Sequence, residues 1–136
     1  MSISTPATRP APARDFLRTT LRVDGWSTGI FGGVLLAGAA ALRDPLGLPT
    51  VWSVVFGVAM LGGALVLLLI ARQPEIRARQ ANGVVAVNAV SAVAMIALAE
   101  SGVLDLTVLG VAFLLVGAAV VAVFAGLEFT GLRRRA

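Results

Sequence analysis

The chain has 136 residues, of which 58% are hydrophobic and 13% charged, whereas soluble domains carry about a quarter of their residues as charges; its mean hydropathy is +0.94, so it reads as a one-domain membrane protein. Cysteine, histidine, tyrosine and lysine are all absent, which removes disulfides, thiolate metal sites, the usual neutral-pH base and Schiff-base chemistry, and with them the expectation of an enzyme or a cofactor. The formal net charge of +4 does not point to nucleic acid, because the arginines stand at the ends of apolar segments with no aromatic-interleaved basic stripe.

Residues 1–12, rich in Pro, Ser, Thr and Ala without apolar periodicity, are expected to form a disordered cytoplasmic tail. A single four-helix transmembrane domain is expected over residues 13–135. From Ala13 onward Arg14, Arg18 and Arg22 recur at every fourth position, while Phe16, Leu17, Leu21 and Val23 fall on other faces. That pattern fits a short basic helix lying on an anionic membrane surface, and equally a solvated charged lead-in to the first span. The first span is predicted over about residues 25–42, uncharged between Asp24 and Arg43. At ~1.5 Å per residue it covers roughly 27 Å, enough with snorkelling flanks for a hydrocarbon core of ~30 Å. Arginines ahead of an apolar run ending in Ala39-Ala40-Ala41 also resemble a secretory signal. The polar lead-in is long and the Gly-rich, Trp-containing run is a poor signal core, so no cleavage is expected.

The sequence from Asp44 to Pro49 makes a tight connection punctuated by Pro45, Gly47 and Pro49. A second span, 50–71, carries no charge and is ended by Arg72 and Pro74. The stretch from Arg72 to Asn82 is the long polar interruption of the chain, and it reads as the hinge between two helical hairpins. Pro74 followed by Glu75 suits a helix start, so the helix of the third span, 83–99, is expected to begin before the membrane does. Glu100-Ser101-Gly102 ends it, and Asp105 or Thr107 can cap a fourth span over 106–127. Connections this short make sequential helices antiparallel neighbours, and the predicted fold class is all-α, a transmembrane four-helix up-and-down bundle.

Ten arginines, Arg9, Arg14, Arg18, Arg22, Arg72, Arg77, Arg79, Arg133, Arg134 and Arg135, fall on one side of these spans and Arg43 alone on the other. The positive-inside rule then places both termini and the central loop in the cytoplasm, as expected of a multi-pass protein of the inner (plasma) membrane. Trp26 and Trp52 fit the two interfaces. A short similarity between Thr50, Val51, Val54, Phe56 and Thr107, Val108, Val111, Phe113 reads as coincidence in a Val/Ala/Leu alphabet.

Three groups of residues are candidates for function. Gly25, Gly29, Gly33, Ala37 and Ala41 form a line of small residues at every fourth position, which permits close helix approach either inside the monomer or at a homodimer seam. Gly110, Ala118, Ala122 and Gly126 make a looser counterpart near the C-terminus. Asn88 and Ser91 form an intramembrane polar pair on one helix face, suited to interhelical hydrogen bonds or to lining a polar path. Asp24 and Glu128, level with Arg22, Arg72 and Arg133, are predicted to form an ion network at the inner ends of the first and fourth spans, in preference to loading protons or cations for transport, for which no second acid deep in a span supplies a relay. Glu100 and Asp105 read as solvated loop charges. Gly32-Gly33 and Gly62-Gly63 lie within apolar spans and match no phosphate loop or dinucleotide fingerprint.

The acid in Arg22-Val23-Asp24-Gly25-Trp26-Ser27-Thr28-Gly29, the turn Leu46 to Pro49, Asn88, the start Leu106 to Gly110 and the ending Gly126 to Arg134 together resemble a group of short four-helix bacterial, actinobacterial-type integral membrane proteins. The resembling pieces span most of residues 16–135. Ala89 departs from the pattern, which has an aromatic after this Asn. The resemblance implies a fold and a membrane location, and no activity for individual residues. The expected function is that of a structural or accessory subunit in the lipid bilayer, packing with itself or with a larger membrane protein. The alternative is a small oligomeric transporter or permeation unit for an ion or apolar metabolite.

Overall fold

The computed structural model describes residues 11–135 as five helices: α1 (Ala11–Ala37), α2 (Ala39–Leu46), α3 (Thr50–Arg72), α4 (Ala78–Ser101) and α5 (Val108–Arg135). The expected N-terminal tail lies outside the described residues except for Ala11 and Pro12, which belong to α1. The first span departs most from expectation: its helix begins at Ala11 instead of Gly25 and ends at Ala37 instead of Leu42. Basic segment and apolar segment are one helix of 27 residues, roughly 40 Å long. The reason is packing. Leu17 and Leu21, one turn apart, are completely buried, joined in one cluster with Leu67, Ile70 and Ala71 of α3, Ile76 of the α3–α4 connection, Ala81 and Val84 of α4, and Leu132 of α5.

Arg18 explains what else the basic segment does. Its Nε donates to the carbonyl of Ala71 at 2.9 Å, and its Nη2 donates to the carbonyls of Gln73 at 2.6 Å and Pro74 at 3.2 Å. The last carbonyls of a helix have no partner within it and carry the negative end of the dipole, so this guanidinium closes α3 from another helix. Charge-assisted bonds contribute about 1.5–3 kcal/mol each at best, discounted here by partial exposure. Arg18→Met, which keeps the stem, is expected to lower unfolding free energy in detergent by about 2 kcal/mol; an unchanged midpoint would remove Arg18 from the cap.

Pro74 and Glu75 do not start α4; they lie in the bend between α3 and α4, and the helix begins at Ala78. Its C-terminus is as expected, with Gly102 in the left-handed region at φ 74°. Of the two expected caps for the last helix, Thr107 is the one used: its Oγ1 accepts from the Gly110 N–H at 3.0 Å. α5 then continues past Leu127 to Arg135 and includes the basic tail.

At the other end of the molecule the chain turns through 88° between α1 and α2. Gly38, at φ −99° and ψ 12°, carries the turn while backbone bonds continue on both sides, from its N–H to Val34 and from Leu42 N–H to its carbonyl. The C-terminus of α2 is pinned to the α4–α5 connection: Thr107 N–H donates to the Leu46 carbonyl at 3.1 Å and Thr107 Oγ1 to the Pro45 carbonyl at 2.7 Å. Gly47 adopts φ 66°, and a Cβ there would lie 2.5 Å from the Asp105 carbonyl oxygen, so no other residue fits this turn without displacement. Leu35, Leu46, Leu48 and Leu104 form the buried cluster at this end, with Leu42, Trp52, Phe56 and Phe113 against it.

α1 packs chiefly on α3, α4 on α5, and α1 on α5, so α1 and α5 stand between α3 and α4. The two end clusters show that successive long helices alternate in direction. Outside these contacts the helices present apolar side chains: Trp26, Ile30 and Val34 of α1, Val51, Val58 and Leu65 of α3, Val87, Val90 and Val93 of α4, and Val116 and Val123 of α5 are all more than half exposed. α3, α4 and α5 are each long and apolar enough to cross a bilayer, and the bent α1–α2 pair makes a fourth candidate. Such an exterior belongs in lipid.

Candidate functional site

Three of the four long helices meet at polar side chains between the two apolar clusters. Asp24 of α1 and Glu128 of α5 are 3% and 0% exposed. The Asn88 amide of α4 stands between them, its Nδ2 donating to Glu128 Oε1 at 2.7 Å and to Asp24 Oδ2 at 3.0 Å. Towards an ionised carboxylate this amide orientation is the one that bonds, because the amide oxygen turned to it would set acceptor against acceptor. Thr28, one turn along α1, donates from Oγ1 to Asp24 Oδ1 at 3.1 Å. The two carboxyl groups thus converge on a single amide nitrogen. Glu128 Oε2 is buried with no hydrogen-bond partner among the described residues.

The geometry follows from where each residue falls in its helix. Asp24 and Glu128 are not at helix ends: α1 extends back to Ala11 and α5 on to Arg135. The arginines expected beside them face away from the acids. Arg22, Arg72 and Arg133 are exposed and are not among the hydrogen-bond partners of Asp24 or Glu128. Arg133 lies over the Phe129 ring at 5.6 Å, and Arg134 over Phe16 at 5.4 Å. In place of an ion network the carboxylates meet a neutral amide. Ser91 is half-buried and takes no part in the bonds made by Asn88.

The small-residue line lies partly against α3. A Cβ on Gly25 would meet Leu68 at 2.9 Å, and one on Gly29 would meet Ala64 at 3.4 Å. Gly33 has nothing within 4 Å, Ala37 is exposed, and Ala41 lies beyond the 88° turn. The line moves instead to Gly32, whose Cβ would come within 3.0 Å of the Gly57 carbonyl and 3.1 Å of the Leu61 nitrogen. This shift is the ordinary drift of a 3.6-residue helix away from a strict fourth-residue repeat. Gly57, Thr28 and Arg18 were not singled out for these contacts by the sequence; a test of i+3 as well as i+4 spacing among glycines would have found Gly32. Ser53 is a separate buried polar residue, 0% exposed and with Oγ unpartnered among the described residues, beside the apolar cluster of the α2 end.

Chemically the site offers two carboxyl groups, an amide and a hydroxyl. No group of three or more Asp, Glu, His or Cys that could hold a metal occurs among the described residues. Two concavities are open surface dents that include neither Asp24 nor Glu128, one lined by Arg43, Asp44, Gly47 and Pro49, the other by Ala89, Val90, Val93 and Ala94. Fold and site together define a membrane-embedded helical protein with a carboxyl–amide cluster inside its helical layer. No family model, curated protein or solved structure matches the chain.

Proposed function

We propose that this is a four-span protein of the bacterial inner (plasma) membrane, with both termini and the α3–α4 connection in the cytoplasm, acting as a structural or accessory subunit. In this reading α1 and α2 together form the first span of an up-and-down bundle, broken at Gly38, and the arginines exposed at the Leu17–Leu132 end set the orientation by the positive-inside rule. The observation that carries the accessory role is the disposition of polar and apolar groups. Asp24 and Thr28 of α1, Asn88 of α4 and Glu128 of α5 are turned on one another, while the outer flanks of α3 and α4 are broad and apolar. Such flanks suit lipid and a neighbouring helical surface, whether a second copy or a larger membrane protein.

Native mass spectrometry after gentle extraction tests this role. The chain is expected in a complex of defined stoichiometry heavier than its 13.9 kDa; recovery as a monomer alone would contradict it. A second reading, a small oligomeric unit moving an ion or apolar metabolite, is favoured by the Asp24–Asn88–Glu128 cluster, because ionisable groups inside spans commonly mark transport paths.

A further inference from the structure

We propose that Asp24 and Glu128 hold one proton between them, carried on Glu128 and donated to Asp24, so that the cluster is an intramembrane proton-binding site. This inference rests on the membrane-embedded reading and is independent of the accessory role.

The donors around the two acids carry the argument. Asp24 receives two hydrogen bonds, from Thr28 Oγ1 and Asn88 Nδ2. Glu128 receives one, on Oε1. Its second oxygen is buried without a donor among the described residues, while the Asp24 carboxyl is held on the same Asn88 nitrogen, at 3.0 Å against 2.7 Å for Glu128. Two ionised carboxylates are acceptors only, and a contact between them becomes a hydrogen bond when one carries hydrogen. One proton converts it into an O–H···O⁻ bond, among the stronger kinds available in a protein, and reduces two adjacent like charges to one. Asn88 already occupies the bridging position with N–H groups, which leaves a proton, not a metal ion, as the species that completes the site.

Among the described residues the surrounding elements supply no alternative countercharge. From α1 the titratable group facing Glu128 is Asp24 itself, and α4 contributes the neutral Asn88. Arg18 of α1 is bonded to the α3 carbonyls, Arg22 is exposed, and on α5 Arg133 and Arg134 lie over Phe129 and Phe16. The exchange balances simply: water or buffer gives one proton to Glu128, forming one O–H bond, and release breaks that bond and returns the proton. Release leaves two like charges in contact across α1 and α5, so occupancy of the site is linked to how closely these helices pack.

Infrared spectroscopy of the full-length protein in lipid nanodiscs at neutral pH tests the site. The expected result is a protonated-carboxyl carbonyl band that shifts on 13C-labelling of glutamate but not of aspartate and is lost in Glu128→Gln. In Asp24→Asn the band is expected to move to higher frequency, because its O–H loses an ionised acceptor. The labelling needs no substitution, so it stands even where a variant fails to fold. A spectrum without the band, or a band insensitive to glutamate labelling, overturns the proposal; a glutamate band unmoved in Asp24→Asn overturns the sharing of the proton.

Discussion

Asn88→Val is expected to lower the unfolding free energy by about 2–3 kcal/mol, the upper part of the range for losing a donor to buried or charged acceptors. Valine takes the place of the amide but gives Glu128 Oε1 and Asp24 Oδ2 no donor, and both acids are buried. A buried acceptor left without its donor bears the full cost of desolvation, larger for a charged group than a neutral one. The loss falls on the junction of α1, α4 and α5, so the α4–α5 hairpin is expected to loosen from α1 first. Asn88→Gln, which keeps the donor on a longer stem, is expected to retain part of that stability. Reversible unfolding in mild detergent measures both variants; an Asn88→Val midpoint equal to wild type would mean that the amide does not hold these helices.

Gly32→Leu is the second large effect, expected to cost at least about 2–3 kcal/mol, the upper part of the range for overpacking. The new Cβ would stand 2.9 Å from Met60 Cβ, 3.0 Å from the Gly57 carbonyl oxygen and 3.1 Å from the Leu61 nitrogen. Two of these neighbours are backbone and cannot rotate away, so α1 and α3 must separate along much of their contact. Its neighbour in sequence gives the control. Gly33 has open space around a Cβ, and Gly33→Leu is expected to stay within about 0.5 kcal/mol of wild type, as surface substitutions do. Paired unfolding curves decide the phase of the helix contact: equal losses at both positions, or a larger loss at Gly33, would contradict the packing described here.

Much of this arrangement is legible in the sequence, and the reasons for what is not are physical. α3 is readable because Thr50–Ala71 is long, uncharged and bounded by Pro49 and Arg72, and the end of α4 is readable because Gly102 can adopt a left-handed conformation. α1 is not, because Leu17 and Leu21 share the segment with arginines at every fourth position. Surface helix and core helix have the same pattern there, and only the partners Leu67, Ile70 and Leu132 on other helices decide between them. The turn at Gly38 is hidden for a similar reason: Ala39-Ala40-Ala41 favours continued helix, and the chain departs from it where Leu46 and Gly47 dock on residues 105–107. Asp24, Asn88 and Glu128 are each conspicuous in an apolar chain. Their meeting is not, since periodicity along one helix says which residues share a face and nothing about which faces of three helices converge.

The most direct test of the account is the topology of the chain, and the absence of cysteine makes it clean. Single cysteines placed at the exposed positions Arg43, Asn82, Asp105 and Arg133 can be labelled in intact cells with a membrane-impermeant maleimide. Labelling is expected at positions 43 and 105 from outside, and at 82 and 133 only after the membrane is opened. Positions 43 and 105 reacting from opposite sides would contradict the pairing of α2 with the α4–α5 connection and the four-span architecture with it.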